Sequence, residues 1–142
     1  MRRLALVLIT CSALLMAGSA VANDFSAGVS LHDFDDFGVL ARWAFPFAIE
    51  GSSLNTGATY YFDGSYLAID ADVHFALSKR EMSSFYPLVG LQLATDFDWS
   101  ELGFNLGGGY QFGLDANHAA YVEAKFLIGD LDGFVATFGV GF

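Results

Sequence analysis

The sequence is poor in cysteine, proline and charged residues, and these shortages exclude whole classes of protein. It contains one cysteine and two prolines among 142 residues. A single cysteine cannot form a disulfide framework within the chain, so a small disulfide-stabilised exported domain is excluded. Charged residues make up 15% of the chain, whereas a typical soluble domain has about 25%. A strongly solvated exterior is therefore not expected.

Basic residues are scarce, and the main part of the chain has no long apolar run. Six Lys and Arg residues stand against 16 Asp and Glu residues, and the net charge is −10. Without a basic stripe to meet phosphates, a nucleic-acid partner is excluded. Beyond residue 22 no segment reaches the roughly 18 consecutive apolar residues of a spanning helix. The length accommodates one domain.

Residues 1–22 have the pattern of a cleaved secretory signal. Two arginines precede the apolar run Leu4–Ala17, and Ala20–Ala22 fits the small-residue rule for cleavage. Cys11 is interpreted as a small apolar member of this run. We therefore expect a mature protein of residues 23–142 without cysteine, in which four Lys and Arg residues stand against 16 Asp and Glu residues.

The rest of the chain alternates large apolar residues with small or polar ones at a period of two. This period is typical of β-strands whose two faces meet different surroundings. The connections between the segments are short and polar, which favours antiparallel neighbours in an up-and-down order. The alternation predicts eight strands, at residues 25–32, 39–45, 54–62, 66–77, 89–94, 102–114, 120–128 and 134–142.

The polarity of the two faces favours a barrel in a membrane. A soluble barrel would present glycine, alanine, asparagine and glutamine to water with hardly any charge to keep it soluble. An outer-membrane barrel reverses the faces, with Leu, Val and Phe in lipid and small polar residues in a narrow interior. Only a closed ring pairs every backbone group in hydrocarbon, and eight strands form about the smallest ring that side chains fill. The predicted fold is therefore all-β, a closed eight-stranded antiparallel up-and-down transmembrane barrel. A soluble periplasmic barrel that binds an apolar ligand is an alternative.

Two segments, 103–113 (GFNLGGGYQFG) and 121–142 (YVEAKFLIGDLDGFVATFGVGF), resemble the small outer-membrane β-barrel proteins of Gram-negative bacteria. This family includes OmpX, the OmpA barrel and the opacity-type porin-like proteins. The resemblance implies an outer-membrane location, contact with its lipid and lipopolysaccharide, and insertion by the barrel-assembly machinery. It also implies that Phe138, Val140 and the terminal Phe142 form the assembly signal. It indicates no cofactor and no particular surface partner, and the short connections argue against receptor binding by long loops.

The inward face of the predicted strands carries ionisable residues. Unpaired charges in a narrow interior are costly, so we expect these groups to pair as an ion network that leaves no open pore. Ion conduction through the inward carboxylates and histidine is the alternative, since ionisable groups inside a membrane are often functional. Two ligands on one strand, Asp72 and His74, are too few to predict a metal site. The predicted network comprises Arg42, Asp70, Asp72, His74, Glu123 and Lys125.

In the four connections that the resemblance places outside the cell, every charged residue is acidic. Carboxylates suit Ca²⁺ or Mg²⁺, so one interpretation is a cation site shared with lipopolysaccharide phosphates. The other is turn formation, because aspartate favours turns and keeps loop tips hydrated. No segment matches the spacing of a helix–loop–helix calcium site. We call this set the acidic rim: Asp33, Asp35, Asp36, Asp63, Asp96, Asp98, Glu101, Asp130 and Asp132.

A lipid acyl hydrolase or transferase is a weaker alternative. Such chemistry needs a nucleophile, a base and an orienting group within hydrogen-bond reach. Ser30 and His32 share a face of the first strand that is predicted to point inward, and His118 lies beside no serine. The His-x-Ser signature of the lipid A deacylase barrels is missing. The sequence therefore predicts a structural or surface-interaction protein, with an enzyme or a minor ion conductor as alternatives.

Overall fold

Eight antiparallel strands form a closed barrel in the computed structural model, which describes residues 25–77 and 83–142. Each strand pairs with its neighbours in sequence, and the first strand also pairs with the last, which closes the ring. The predicted all-β, eight-stranded, up-and-down fold is confirmed. The strands are β1 (Phe25–His32), β2 (Asp36–Pro46), β3 (Ser52–Tyr61), β4 (Tyr66–Phe75), β5 (Ser83–Thr95), β6 (Ser100–Gly113), β7 (Ala119–Gly129) and β8 (Gly133–Gly141).

Some segments lie outside this description. The expected signal at residues 1–22, its cleavage site and most of the connection between β4 and β5 fall outside the described residues. In the part of the chain that is described, no helix has the length and apolar character needed to cross a membrane.

Several strands are longer than the apolar alternation indicates. Strand β5 begins at Ser83, six residues before the predicted start at Val89, because its ladder with β6 continues to the pair Ser83 and Phe112. Asp36 and Glu101 were expected in connections but lie within β2 and β6. In these strands the backbone ladder continues beyond the predicted bounds, whereas β4 ends at Phe75, two residues before its predicted end at Leu77.

The strands turn their apolar side chains outward. In β6, Leu106 is 53% exposed, whereas its neighbour Asn105 is 3% exposed. In β7, Phe126 is 60% exposed and Lys125 is 2% exposed. This is the reverse of a water-soluble fold, in which apolar side chains are enclosed. The alternative of a soluble barrel needs the opposite placement.

The two ends of the barrel differ. Turns 33–35, 62–65, 96–99 and 130–132 lie at one end, which we call the acidic end, and Phe25 and Phe142 meet at the other, the terminal end. Near the acidic end the interior is filled by apolar and aromatic side chains, whereas small polar residues were expected there. We call this cluster the apolar plug: Tyr61, Tyr66, Ala68, Ala94, Leu127, Leu131 and Val135.

Interior glycines make room for large inward side chains. A Cβ at Gly109 would collide with the ring of Tyr86, its partner across the β5–β6 ladder, and Gly139 stands in the same relation to Tyr121. Charged side chains lie opposite glycine in the same way. These pairs are Asp70 with Gly57, Asp72 with Gly90, and Lys125 with Gly107. Much of the glycine in this chain therefore serves interior packing.

Candidate functional site: the interior ion network and the acidic rim

A bidentate ion pair crosses the barrel interior. Arg42 of β2 donates from Nη1 to Oε2 and from Nη2 to Oε1 of Glu123 of β7, both at 2.9 Å. The Tyr86 hydroxyl donates to the same Oε2 at 3.1 Å, and the guanidinium lies 5.3 Å from the ring centre of Tyr121. Both charged side chains are buried. Paired donors and oxygens of this kind form the stronger, geometrically specific class of hydrogen bond.

A second ionic group lies beside the first. The Lys125 Nζ is 3.2 Å from an oxygen of Asp72 and 3.4 Å from an oxygen of Asp70. The amide of Asn105 donates to the other Asp72 oxygen at 2.6 Å. All four side chains are buried. One lysine therefore separates two carboxylates that would otherwise repel each other at low dielectric.

His74 completes the layer. Its ring stacks on Tyr86 with a centroid distance of 4.6 Å, and its Nε2 lies 3.8 Å from Oε2 of Glu123, buried and without a hydrogen-bond partner. The structure thus brings the six predicted network residues together, and we call them the charged layer. The sequence prediction did not include the hydroxyl of Tyr86 or the amide of Asn105. Asn105 could have been found, because it is a polar residue at an inward position of a predicted strand.

The charged layer contains a group of candidate metal ligands. Ligand atoms of Asp72, His74 and Glu123 lie within 4.8 Å of one another, and Glu123 is the third ligand that spacing along the strand could not supply. However, both Glu123 oxygens already accept from Arg42, and both Asp72 oxygens accept from neighbouring side chains. A metal would have to displace these donors, so the geometry favours a paired ion network.

The interior between the charged layer and the apolar plug is closely packed. A gap lies between them, but it has no space that a water molecule could occupy. Ser30 and Thr137, which are paired on the neighbouring strands β1 and β8, line it and share a hydroxyl hydrogen bond of 2.9 Å. The described interior is therefore closed at this depth by a mixture of polar and apolar side chains.

Three carboxylates of the acidic rim organise turns. Asp33 Oδ1 accepts from the N–H of Phe134 at 2.8 Å, which joins turn 33–35 to β8. Asp36 accepts from two backbone N–H groups in turn 62–65, and Asp96 Oδ1 accepts from two in its own turn. Among the described residues, groups of three convergent ligands occur only in the charged layer, so the rim carboxylates do not gather into one cation site.

The candidate catalytic residues have other partners. The Ser30 hydroxyl pairs with Thr137, and His32 Nδ1 pairs with the Tyr66 hydroxyl at 2.7 Å. His118 Nδ1 lies 2.8 Å from an oxygen of Asp115 in an exposed turn. Within the described chain, none of these histidines is hydrogen-bonded to a serine. Among the described residues, Ser30, His32 and His118 therefore do not form the nucleophile–base pair that acyl transfer requires.

Comparison with known proteins defines the fold. No protein-family model matches the chain, and no curated protein matches it. Solved structures do match, among them the N-terminal β-barrel domain of OprF from Pseudomonas aeruginosa, Ail from Yersinia pestis, and the outer-membrane enzyme PagL. Their TM-scores are 0.65, 0.59 and 0.51, and their sequence identities are 18%, 18% and 12%.

These matches extend over nearly the whole barrel. They cover 84%, 84% and 83% of this chain and 94%, 95% and 96% of the other chains, in the same order. At these identities the likeness establishes the fold alone. One matching protein is described as an enzyme and the other two are not, so the likeness does not decide whether this chain is catalytic. The resemblance predicted from residues 103–113 and 121–142 is confirmed at the level of fold. The chain has the fold of the small eight-stranded outer-membrane barrels.

Proposed function

We propose that the protein is an integral barrel of a Gram-negative outer membrane with a structural or surface-interaction role. The observation that carries this proposal is the inverted polarity of a closed sheet: apolar side chains cover the outside, and paired charges lie within. Hydrocarbon tolerates such a sheet because a closed ring leaves no unpaired backbone edge. Water does not favour so large an exposed apolar surface.

A detergent gel of fractionated cells tests the location. Unboiled and boiled samples of the outer-membrane fraction are compared. A band in that fraction that shifts on boiling is the expected result, because a folded barrel resists detergent until it is heated. A soluble periplasmic protein without a shift would overturn the proposal.

A charge on the outer wall tests contact with lipid. Leu106 lies at mid-strand on the exposed face of β6, and Leu106→Arg should destabilise the barrel by about 2–4 kcal/mol in a bilayer. Ile49→Arg, in turn 47–51, is the matched control and should have little effect. Equal tolerance of both changes in lipid vesicles would contradict a lipid-facing wall.

The paired charged layer favours a barrel that does not conduct ions. Arg42 is hydrogen-bonded to Glu123 across the interior, and Lys125 is hydrogen-bonded to Asp70 and Asp72. Purified protein in planar bilayers should therefore produce no single-channel steps. Steps that change with Asp70→Asn would support the alternative of a minor ion conductor.

The same geometry favours a role without catalysis. A barrel enzyme would alter lipid A or phospholipid composition when overproduced, and His32→Ala or His74→Ala would abolish the change. We expect the lipid profile to stay unchanged. The hydroxyl of Ser30 is hydrogen-bonded to a threonine, and the rings of His32 and His118 are hydrogen-bonded to a tyrosine and an aspartate, so none of them forms a nucleophile–base pair.

The proposed partners are membrane lipid, lipopolysaccharide and the barrel-assembly machinery. Phe138, Val140 and Phe142 are proposed as the assembly signal, and the aromatic rings of Phe138 and Phe142 are about half exposed. Phe142→Ser should slow the appearance of the heat-shifted band. Phe45→Ser, which removes a similarly exposed ring from β2, is the control and should leave the assembly rate unchanged.

A further inference from the structure

Two phenylalanines project from the tips of turns at the acidic end. Phe97 is 85% exposed and Phe34 is 71% exposed, the highest values among the described large apolar side chains. Each lies between two aspartates, in Asp96-Phe97-Asp98 and in Asp33-Phe34-Asp35. The two turns join β1 to β2 and β5 to β6, so the two rings lie on opposite sides of the barrel, and a segment lying across the acidic end would contact both.

These tips are held in place by their neighbours. Phe97 has a backbone φ of 76° and Phe34 one of 65°, a region that bulky side chains rarely adopt. The Phe97 N–H donates to Oγ1 of Thr95 at 3.0 Å, and the Phe34 ring stacks on Phe134 with a centroid distance of 5.1 Å. A surface that is already ordered loses less conformational freedom when a partner binds.

The charge at this end selects the partner. Turns 33–35, 62–65, 96–99 and 130–132 contain no lysine or arginine, and the acidic rim surrounds both phenylalanines. An acidic polypeptide or a bare phosphate surface would be repelled, whereas a basic one would be attracted from a distance. Exposed phenylalanines among carboxylates are complementary in polarity and charge to a segment in which basic and apolar side chains alternate.

We propose that the acidic end docks a cationic amphipathic polypeptide segment, with Phe34 and Phe97 as apolar anchors and the acidic rim as the electrostatic complement. This inference rests on the proposed function, because the acidic end must project from a membrane-embedded barrel. The partner is a polypeptide and not a divalent cation, since the rim carboxylates do not converge on a common point.

The test uses the folded barrel in zwitterionic micelles and a fluorescent amphipathic peptide of lysine and leucine. Fluorescence anisotropy measures the dissociation constant at low and high salt, with empty micelles as background. Wild type should bind, and the double change Phe34→Ser with Phe97→Ser should weaken binding about tenfold. Phe47→Ser with Ile49→Ser, which removes two exposed apolar side chains at the terminal end, should leave binding unchanged.

A second pair of variants tests the charge. Asp35→Asn with Asp98→Asn should weaken binding at low salt and reduce its salt dependence, because each change removes an exposed carboxylate beside an anchor. Glu50→Gln at the terminal end is the control and should have no effect. A peptide of glutamate and leucine should not bind wild type.

Three results would overturn the inference. The first is equal peptide affinity for the anchor variant and its terminal-end control. The second is equal binding of the acidic peptide. The third is rim-dependent binding of Ca²⁺ or lipopolysaccharide vesicles without binding of the cationic peptide. Boiled and unboiled gels of every variant separate the two proposals: a heat-shifted barrel that binds no peptide overturns only the docking surface, and loss of the shift in wild type overturns the membrane proposal.

Discussion

The charged layer and the apolar plug fill the same barrel with opposite chemistry. In the charged layer, Arg42 and Glu123 pair across the interior through two hydrogen bonds of 2.9 Å. In the apolar plug, Tyr61 and Tyr66 stack with their ring centroids 4.9 Å apart, beside Leu127. Both layers exclude solvent, yet one depends on particular partners and the other on volume. The alternation of side chains along each strand determines which residues face inward. Whether those residues are charged or apolar determines how much stability a substitution in each layer costs.

The largest effect is expected from breaking the buried ion pair. Glu123→Leu leaves the Arg42 guanidinium buried without its carboxylate, which should destabilise the barrel by about 3–5 kcal/mol. Urea unfolding in lipid vesicles, followed by tryptophan fluorescence, measures the loss. Because well-packed apolar residues often replace a buried ion pair at little cost, Arg42→Met with Glu123→Leu should recover most of the stability. If the double variant is as unstable as Glu123→Leu alone, the unpaired charge of Arg42 is not the cause of the lost stability.

A cavity in the apolar plug should cost somewhat less and should depend on size alone. Leu127 is buried, and Leu127→Ala should destabilise the barrel by about 2–5 kcal/mol through lost contacts and the space left behind. Leu127→Met keeps the volume and should cost less than about 1.5 kcal/mol. The same urea titration compares the two. If Met costs as much as Ala, the plug depends on shape as strictly as the charged layer depends on its partners.

The inward positions of the charged layer could be predicted from the sequence, whereas the contacts within it could not. Period-two alternation places Arg42 and Glu123 on the inward face, because side chains of a strand alternate strictly between faces. Their pairing depends on the register of all the intervening strands and on the stagger of the closed ring, which hydropathy does not encode. Tyr86 was missed for a simpler reason: it lies ahead of the predicted start of its strand.

The apolar plug was not predicted, although its strand residues were assigned to the correct face. Tyr61 and Tyr66 flank one turn, and Leu127 is separated from them by about sixty positions in the sequence. Leu131 belongs to a turn, where alternation gives no inward or outward assignment. The general expectation of small polar residues in a narrow interior failed because glycine on neighbouring strands creates the room that large side chains need.

A smaller effect should follow from filling the space that glycine leaves beside the charged layer. Gly109→Ala brings a Cβ against the ring of Tyr86, whose hydroxyl donates to Glu123. Overpacking of this kind costs about 1–3 kcal/mol. Tyr86→Leu introduced with Gly109→Ala should remove the clash and make the combined loss smaller than the sum of the two single losses. Strictly additive losses in urea would mean that the glycine is not needed for the tyrosine.

The smallest effect is expected at Asp115 and His118, a hydrogen-bonded pair that faces water at the terminal end. The N–H of Asn117 and the side chain of His118 donate to this carboxylate and lower the pKa of Asp115 below its ordinary value of 3.8. Its stabilisation is therefore complete above pH 3.8 and is lost as the pH falls through the lowered pKa. Asp115→Asn should lower the urea midpoint slightly at pH 7, and the difference from wild type should shrink at pH 3. A decrease in the urea midpoint as large as that of Glu123→Leu, or one that grows as the pH falls, would contradict the expected difference between buried and exposed pairs. Surface ion pairs are screened by water and salt, whereas a partner lost in the charged layer leaves a charge that water cannot reach.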